Sequence, residues 1–411
     1  MFSQKIAWCL VVILLCSGMV RVQQAITPND PYFKYQVSFR NPGGRVIINQ
    51  LSTRPSEQAI DAVPGIDLDI DRAWAITTGS KDVIVAVMDD GFCYDHPDIR
   101  DNIWRNPGET GVDRDGFAKE TNGQDDDHNG YVDDVVGWDF VFDTPDPTCY
   151  VFDGMDKTRI APYSHSLPAL GIIGAKGNNG LGVAGINWDV SMMLLRIGVQ
   201  GGADVARVDR VIRAIHYASD NGARVINWSG FVNDTRPEKL QELRQAIAYA
   251  ASKDVLAVVA AGNDLEDLDD DKNCDRAPEC FDGENLLKVA EVDLRGELYR
   301  ASGRFVGGSN YGVNRVDIAA IAQNYTTDVT RGGVGVYRLA GGTSNAAPVV
   351  SGVAALMLSA NPKLTAAQLK QALLDTARRL PALRGKIKSG GMVDAYRAVL
   401  RAREISSVAK R

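Results

Sequence analysis

Nowhere along this chain of 411 residues do lysine and arginine gather into a patch, and the formal net charge is -7. The electrostatic footprint needed to hold nucleic acid or an anionic membrane surface is therefore missing. Long apolar runs are scarce as well. The one near the start, Ile6 to Val20, follows Lys5 and is broken only by Ser17 and Gly18; its fifteen residues fall short of a comfortable bilayer crossing. It reads as a secretory leader, residues 1–25, with cleavage after Gly18 or after Ala25, against the alternative of an uncleaved signal anchor. That reading predicts a secreted or periplasmic protein with no stable membrane insertion once the leader is removed. Neither an internal repeat nor a linker divides the rest, which predicts one domain rather than two. Of six cysteines, only Cys93, Cys149, Cys274 and Cys280 lie beyond the leader. An even count in an exported chain suits disulfides. Cys274 and Cys280 are close together in a loop-like stretch and are paired on that ground, leaving Cys93 for Cys149, although four cysteines allow three pairings.

What is present is ample material for a core, with 45% hydrophobic residues. Ile26 to Gly79 has no strong helical period and is rich in Pro, Gly and Asp. It reads as an extended arm (26–80) with a short helix near Ile70–Thr77. Val83–Met88 is a continuous Val-rich run of the kind found in buried parallel strands. Asn102 to Pro147 reads as a long ordered surface insertion. Helices are expected at Leu167–Ala175, Val208–Asn221, Glu238–Ala251, Ala346–Ser359 and Ala366–Thr376. Strands are expected at Met192–Ile197, Val225–Trp228, Val255–Ala260, Leu286–Val292 and Val316–Ala319. Strands alternating with helices predict an α/β fold, with a doubly wound, mostly parallel sheet flanked by helices in a single domain over 81–402, and a tail at 403–411. Ligands of such sheets sit beyond the carboxyl ends of the strands.

Three segments at such positions carry chemistry. Asp89 closes Val85-Ala86-Val87-Met88 and is followed by Asp90-Gly91. His165 follows Ser164 and opens a helix-like run. Ser344 stands in Gly342-Thr343-Ser344-Asn345-Ala346-Ala347-Pro348. A serine hydroxyl is a weak nucleophile until a base takes its proton and a carboxylate orients that base. Each residue alone has an ordinary explanation: a turn aspartate, a structural histidine, a small helix-packing serine. Asp, His and Ser in this order, each beside a glycine-rich or strand-like stretch, point to a triad.

These residues resemble the subtilase family, and the resemblance runs from Thr27 to about Arg401. Thr27-Pro28-Asn29-Asp30-Pro31-Tyr32-Phe33 is similar to the arm of thermitase-type members, Val225-Ile226-Asn227-Trp228-Ser229 to the substrate-binding strand, and Ala260-Ala261-Gly262-Asn263 to the oxyanion-hole motif. The resemblance implies a serine endopeptidase. Ser344 would attack the scissile carbonyl, His165 would act as general base and then acid, Asp89 would orient it, and Asn263 would donate to the oxyanion. Ser229 and Gly230 would hold an extended peptide or protein substrate, the chain acting as a monomer.

Some residues depart from the family. Ser166, Leu167 and Pro168 follow His165 where Gly-Thr-His is usual, and a side chain at 166 is expected to displace the imidazole by about 1 Å. Asn345 replaces a common Met, and Phe231 stands where Gly is usual beside the primary pocket. These departures sustain an alternative, a catalytically impaired peptide- or protein-binding module on the same scaffold. Asp90 and the acidic run Glu266–Asp271 suggest a further one, cleavage after basic residues as in kexin-type members. Calcium is the expected cofactor. Asp125, Asp127, Asn129 and Asp133 match the start of an oxygen-ligand loop, although Val136 stands where a full loop of that kind has Glu. The resemblance implies another site at Asp30, Asp98 and Asn179, with carbonyls from the Gly177–Val183 loop.

Overall fold

The computed structural model describes residues 24–47, 59–149, 164–199, 206–234, 236–274, 276–301, 307–330 and 334–405. The leader at 1–25 falls almost wholly outside them. In chain order the elements are β1 (Gly44–Ile47), β2 (Ala59–Ala62), α1 (Ile70–Trp74), β3 (Gly79–Asp89), β4 (Gly137–Asp139), α2 (Ser166–Gly174), β5 (Asp189–Arg196), α3 (Val208–Asp220) and β6 (Val225–Trp228). Then follow α4 (Pro237–Ser252), β7 (Leu256–Ala260), β8 (Leu286–Val292), β9 (Ile318–Ile321), β10 (Tyr325–Val329), β11 (Gly335–Leu339) and α5 (Thr343–Ala360). The chain closes with α6 (Ala366–Thr376), β12 (Arg378–Arg379), β13 (Gly391–Met392) and α7 (Ala395–Glu404).

Nine strands form one sheet in the order β12-β13-β9-β8-β7-β6-β3-β5-β4. All neighbours are parallel except β12 and β13. The sheet is doubly wound, as the alternation predicts. Period-two side chains split the central strand between two cores. Val85 and Val87 pack with α2 and α5, through Leu170, Ile173, Val350 and Val353. Ala86 and Met88 pack with α3 and α4, through Val211, Ile215, Leu243 and Ile247.

α5 is long and apolar enough to cross a membrane by composition, yet 78% of it is buried inside the protein. It is the central core helix. Its small residues let it lie close to its neighbours: a side chain at Gly352 would meet Ile186 at 2.9 Å. The arm packs on the body, with Phe33 and Phe39 against Trp74 and the Gln36 amide bonded to both polar groups of the Ala184 backbone. Both disulfides form as paired above, Cys93–Cys149 and Cys274–Cys280.

The helix expected near Ile70–Thr77 is a single turn ending at Trp74. Strand β9 starts two residues later than expected, at Ile318. α7 continues past residue 402. The β10–β11 hairpin gave no apolar signal because its Thr and Asp residues are buried against α2. There the Thr326 and Thr327 hydroxyls donate to the Pro168 and Leu167 carbonyls at 3.1 and 2.8 Å.

Candidate active site

Asp89 is the last residue of β3, at the carboxyl rim of the sheet. Its side chain is 5% exposed, and Oδ1 lies 2.8 Å from His165 Nδ1. The same oxygen accepts the Asp90 N–H at 2.8 Å, while Oδ2 is buried without a partner. His165 caps α2, and its imidazole is 41% exposed. The Asp89 charge lifts the His165 pKa to about 9, against the opposing effect of burial. Burial, then the neighbouring Asp89 charge, holds the Asp90 carboxyl well above the usual carboxylate range.

The residues after His165 are accommodated without breaking its contact with Asp89. Ser166 is buried, and its hydroxyl donates to the Gly91 carbonyl at 2.5 Å and meets Ser164 Oγ at 2.9 Å. The Cβ is thereby taken up in a hydrogen-bonded turn that ties the start of α2 to the strand end carrying Asp89. Leu167 is fully buried in the core. Pro168 lies in the first turn of α2, where its missing N–H has no intrahelical use.

Ser344 is the second residue of α5, after Gly342 at φ 89°. Its hydroxyl donates to the Ser229 carbonyl at 3.3 Å, not to His165. Such a serine–histidine bond often tightens only with substrate bound. Ser229 Oγ in turn donates to the Ser344 carbonyl at 2.7 Å. Asn263 Oδ1 accepts both the Thr343 N–H (2.9 Å) and the Thr343 hydroxyl (3.0 Å). Backbone donation fixes which end of the amide is oxygen, so Nδ2 is the end left to donate, and Asn263 is exposed. Asp89, Asp90, His165, Trp228, Ser229, Gly230 and Phe231 line one cleft of about 180 Å³. Phe231 stacks under the Arg276 guanidinium at 4.8 Å.

Glu291 went unremarked in the sequence, although a glutamate set between Ala290 and Val292 in a strand-like run was the available signal. It is fully buried on β8, and neither carboxyl oxygen has a partner of hydrogen-bonding geometry. A Cβ on Gly341 would lie 3.9 Å from its Oε1, which places the carboxyl under the turn that carries the serine. Burial pushes its pKa up to about 8.

Of the expected cation ligands, Asp30, Asp98 and Asn179 come together. Asn179 Nδ2 donates to Asp98 Oδ1 at 3.0 Å, and the Asn178 and Val183 N–H groups donate to Asp30 and Asp98 at 2.7 and 2.9 Å. Burial raises the Asp98 pKa to about 6. In the other loop the grouping differs from expectation. Asp125 turns its oxygens to the Asn129 and Gly130 N–H groups (3.1 and 2.8 Å), and Asp133 takes the Gly123 N–H at 3.1 Å. Asp127 instead gathers with Glu109 and Asp134, one oxygen of each lying within 4.8 Å of the others.

The comparisons with known proteins agree with this architecture. The family model described as "Subtilase family" matches residues 80–392. Subtilisin-like protease 1 of Plasmodium berghei (strain Anka) is 30% identical over 342 residues, covering 80% of this chain and 51% of that protein. The chain thus spans about half the length of the first curated relatives it matches. Thermitase of Thermoactinomyces vulgaris is 27% identical, covering 91% of this chain and 99% of that one. Among solved structures, a protease from Pseudoalteromonas arctica superposes with a TM-score of 0.64 at 26% identity, covering 92% of this chain and all of that one. By that match and those likenesses, the chain belongs to the subtilase family.

Proposed function

We propose that the chain is a secreted subtilisin-like serine endopeptidase that hydrolyses peptide bonds through an acyl-enzyme on Ser344. The observation that carries this reading is the 2.8 Å contact between Asp89 and His165 at the rim of the sheet, beside a cleft that Ser229 and Gly230 also line. The two disulfides fit an oxidising destination. An extended peptide would add to the backbone at Ser229–Gly230. Ser344 Oγ would swing off the Ser229 carbonyl and attack the scissile carbonyl while His165 Nε2 takes its proton. His165 would return that proton to the leaving amine, and water would then release the acyl group by the same relay. Asp89 holds the Nδ1–H tautomer and stabilises the imidazolium. Asn263 Nδ2 and the Ser344 N–H, which has no intrahelical partner in the first turn of α5, would face the oxyanion.

The donor set Asp30, Asp98 and Asn179 fits a calcium ion: hard oxygen ligands, two of them buried carboxylates that no basic side chain pairs among the described residues. An ion there would hold the arm to the loop after α2. Labelling with a fluorophosphonate probe tests the catalytic reading. Ser344 should be labelled in the parent chain and nothing in Ser344→Ala. No labelling of folded, calcium-loaded protein would reject it.

The Ser344 hydroxyl resting on Ser229 favours a second reading, a peptide- or protein-binding module without turnover. On that reading, restoring Gly, Thr and His at 166, 167 and 168 creates activity. The idea fails if the parent already turns over and the triple change makes no difference.

A further inference from the structure

We propose that Arg276 is a specificity-determining residue, which closes the primary pocket to large and to basic substrate side chains and leaves room for small uncharged ones such as Ala. The proposal rests on the endopeptidase reading and names the substrate class of that same cleft.

The geometry of attack says where that pocket must lie. A peptide laid along Ser229–Gly230 presents its scissile carbonyl to Ser344, with the oxygen toward Asn263. The side chain just before the scissile bond then leaves between two segments. One is the chain just after β6, at Gly230 and Phe231; the other is Gly262-Asn263-Asp264. Arg276 spans that gap. Its guanidinium lies 4.8 Å from the centre of the Phe231 ring, and its Nη1 donates to Asp264 Oδ2 at 2.6 Å. A planar guanidinium serves both contacts at once, its edge on the carboxylate and its face on the ring.

The backbone holds Arg276 in place. It belongs to a loop closed by the Cys274–Cys280 disulfide. Ala277, the next residue, pairs with Val232 in an antiparallel bridge, with N–H to carbonyl bonds of 2.8 and 3.2 Å. The loop is thereby stitched to the chain directly after Phe231. On the opposite wall the Asp264 N–H donates to Asn310 Oδ1 at 3.0 Å, which fixes the carboxylate that receives the guanidinium.

Charge and size then set the substrate class. Asp264 at the edge of this gap would invite a lysine or arginine of the substrate. Glu279 adds a second negative charge near the same wall, since a Cβ on Gly262 would lie 3.1 Å from its Oε2. Arg276 is the chain's own cation in this place. An incoming basic side chain therefore meets a carboxylate already paired and a like charge beside it. A large apolar side chain would have to push the guanidinium off both Phe231 and Asp264. A methyl group needs no such movement.

Peptide-library profiling of the full chain tests this, with fluorophosphonate labelling of Ser344 run beside it. The parent should show a kcat/KM at least about tenfold higher with Ala than with Phe or Lys before the cut. Arg276→Ala should raise the Phe and Lys values by about tenfold or more. Adding Asp264→Asn should keep the gain for Phe and cancel the gain for Lys, because the latter needs the freed carboxylate. Should the alanine variant fail to fold, Arg276→Gln decides; it keeps most of the side chain's bulk and should raise Lys more than Phe. A labelled parent that cuts after Phe or Lys as fast as after Ala, or a variant profile equal to the parent's, overturns the role of Arg276 and leaves the endopeptidase reading standing. An unlabelled parent rejects the endopeptidase reading, and binding then decides. Peptides ending in Ala should bind the parent at least about tenfold more tightly than peptides ending in Lys or Phe, and Arg276→Ala should erase the difference. Equal affinities, or no binding, overturn the proposal.

Discussion

The Ser229 hydroxyl donates to the Ser344 carbonyl at 2.7 Å, taking a place that Pro348 leaves open. In an unbroken helix the Ser344 carbonyl would accept the N–H four residues on, but position 348 has none. The substitute donor comes from the strand that also lines the cleft. It is held in turn by Asn227 Nδ2 at 3.2 Å, whose Oδ1 accepts from Ser351 at 2.9 Å. The proline inside α5 thus fastens the turn that carries Ser344 to the chain just after β6. Ser229→Ala should lower stability by about 1 kcal/mol and reduce kcat by about tenfold to 10²-fold with KM nearly unchanged. Steady-state kinetics beside urea unfolding checks this; a raised KM with an unaltered kcat would assign Ser229 to binding alone.

The sheet and its flanking helices were legible because their apolar periods are long. Val83–Met88 and Leu286–Val292 read as buried strands and fold as such. Asp89 and His165 were legible because each stands at the edge of such an element. What escaped were groups whose burial is made by distant partners. Thr326 and Thr327 look solvent-facing until the carbonyls of α2 claim their hydroxyls. Glu109 carries no motif, and only chain closure brings it to Asp127 and Asp134. The bond of Ser166 was hidden because the Gly91 carbonyl that receives its hydroxyl lies 75 residues earlier.

The pH profile should follow His165. A general base works unprotonated, so kcat/KM should rise as the imidazole loses its proton. The Asp89 charge lifts that step from 6.5 to about 9. Water reaches the exposed edge of the ring and screens part of the attraction, so the inflection should fall between those limits. Asp89→Asn should move it downward and cut the rate by about 10⁴-fold. For stability the sign is opposite. The folded chain holds this proton above pH 6.5 where the unfolded chain has released it, so the pair's contribution is whole below 6.5 and fades toward 9. Rate profiles and melting temperatures across this window check both.

Asn263 should separate transition-state binding from fold support. Asn263→Ala removes the Nδ2 donor and should lower kcat by about 10²- to 10³-fold. It also strips the acceptor from the Thr343 N–H and hydroxyl, costing about 1–2 kcal/mol of stability. Asn263→Asp keeps an oxygen for Thr343, loses the donor and adds a negative charge beside the oxyanion. Its unfolding midpoint should stay near that of the parent while its kcat falls at least as far as in the alanine variant. Paired kinetics and denaturant titrations on the two variants test the division. Equal stability loss in both would mean that the Thr343 contacts at 2.9 and 3.0 Å do not support the turn.

Glu291 should set a fall in stability with rising pH. Its folded pKa is about 8 against an ordinary 4.5, with burial the largest cause and the Gly342 N–H opposing it. The nearby α5 N-terminus favours the charged form, yet full burial outweighs it. Between 4.5 and about 8 the folded chain keeps a proton that the unfolded chain gives up, so stability declines through that window by up to about 1.4 kcal/mol per pH unit. The other acids facing this carboxyl among the described residues are Asp293, just past the end of its strand, whose charge opposes its ionisation, and Tyr299, whose own ionisation the Glu291 charge opposes. Glu291→Gln keeps the shape and cannot ionise. Urea unfolding of parent and variant at both ends of the window should show equal or lower stability for the variant at pH 4.5 and a clear gain near pH 8. Parallel curves for the two proteins would mean that the buried acid does not titrate with folding.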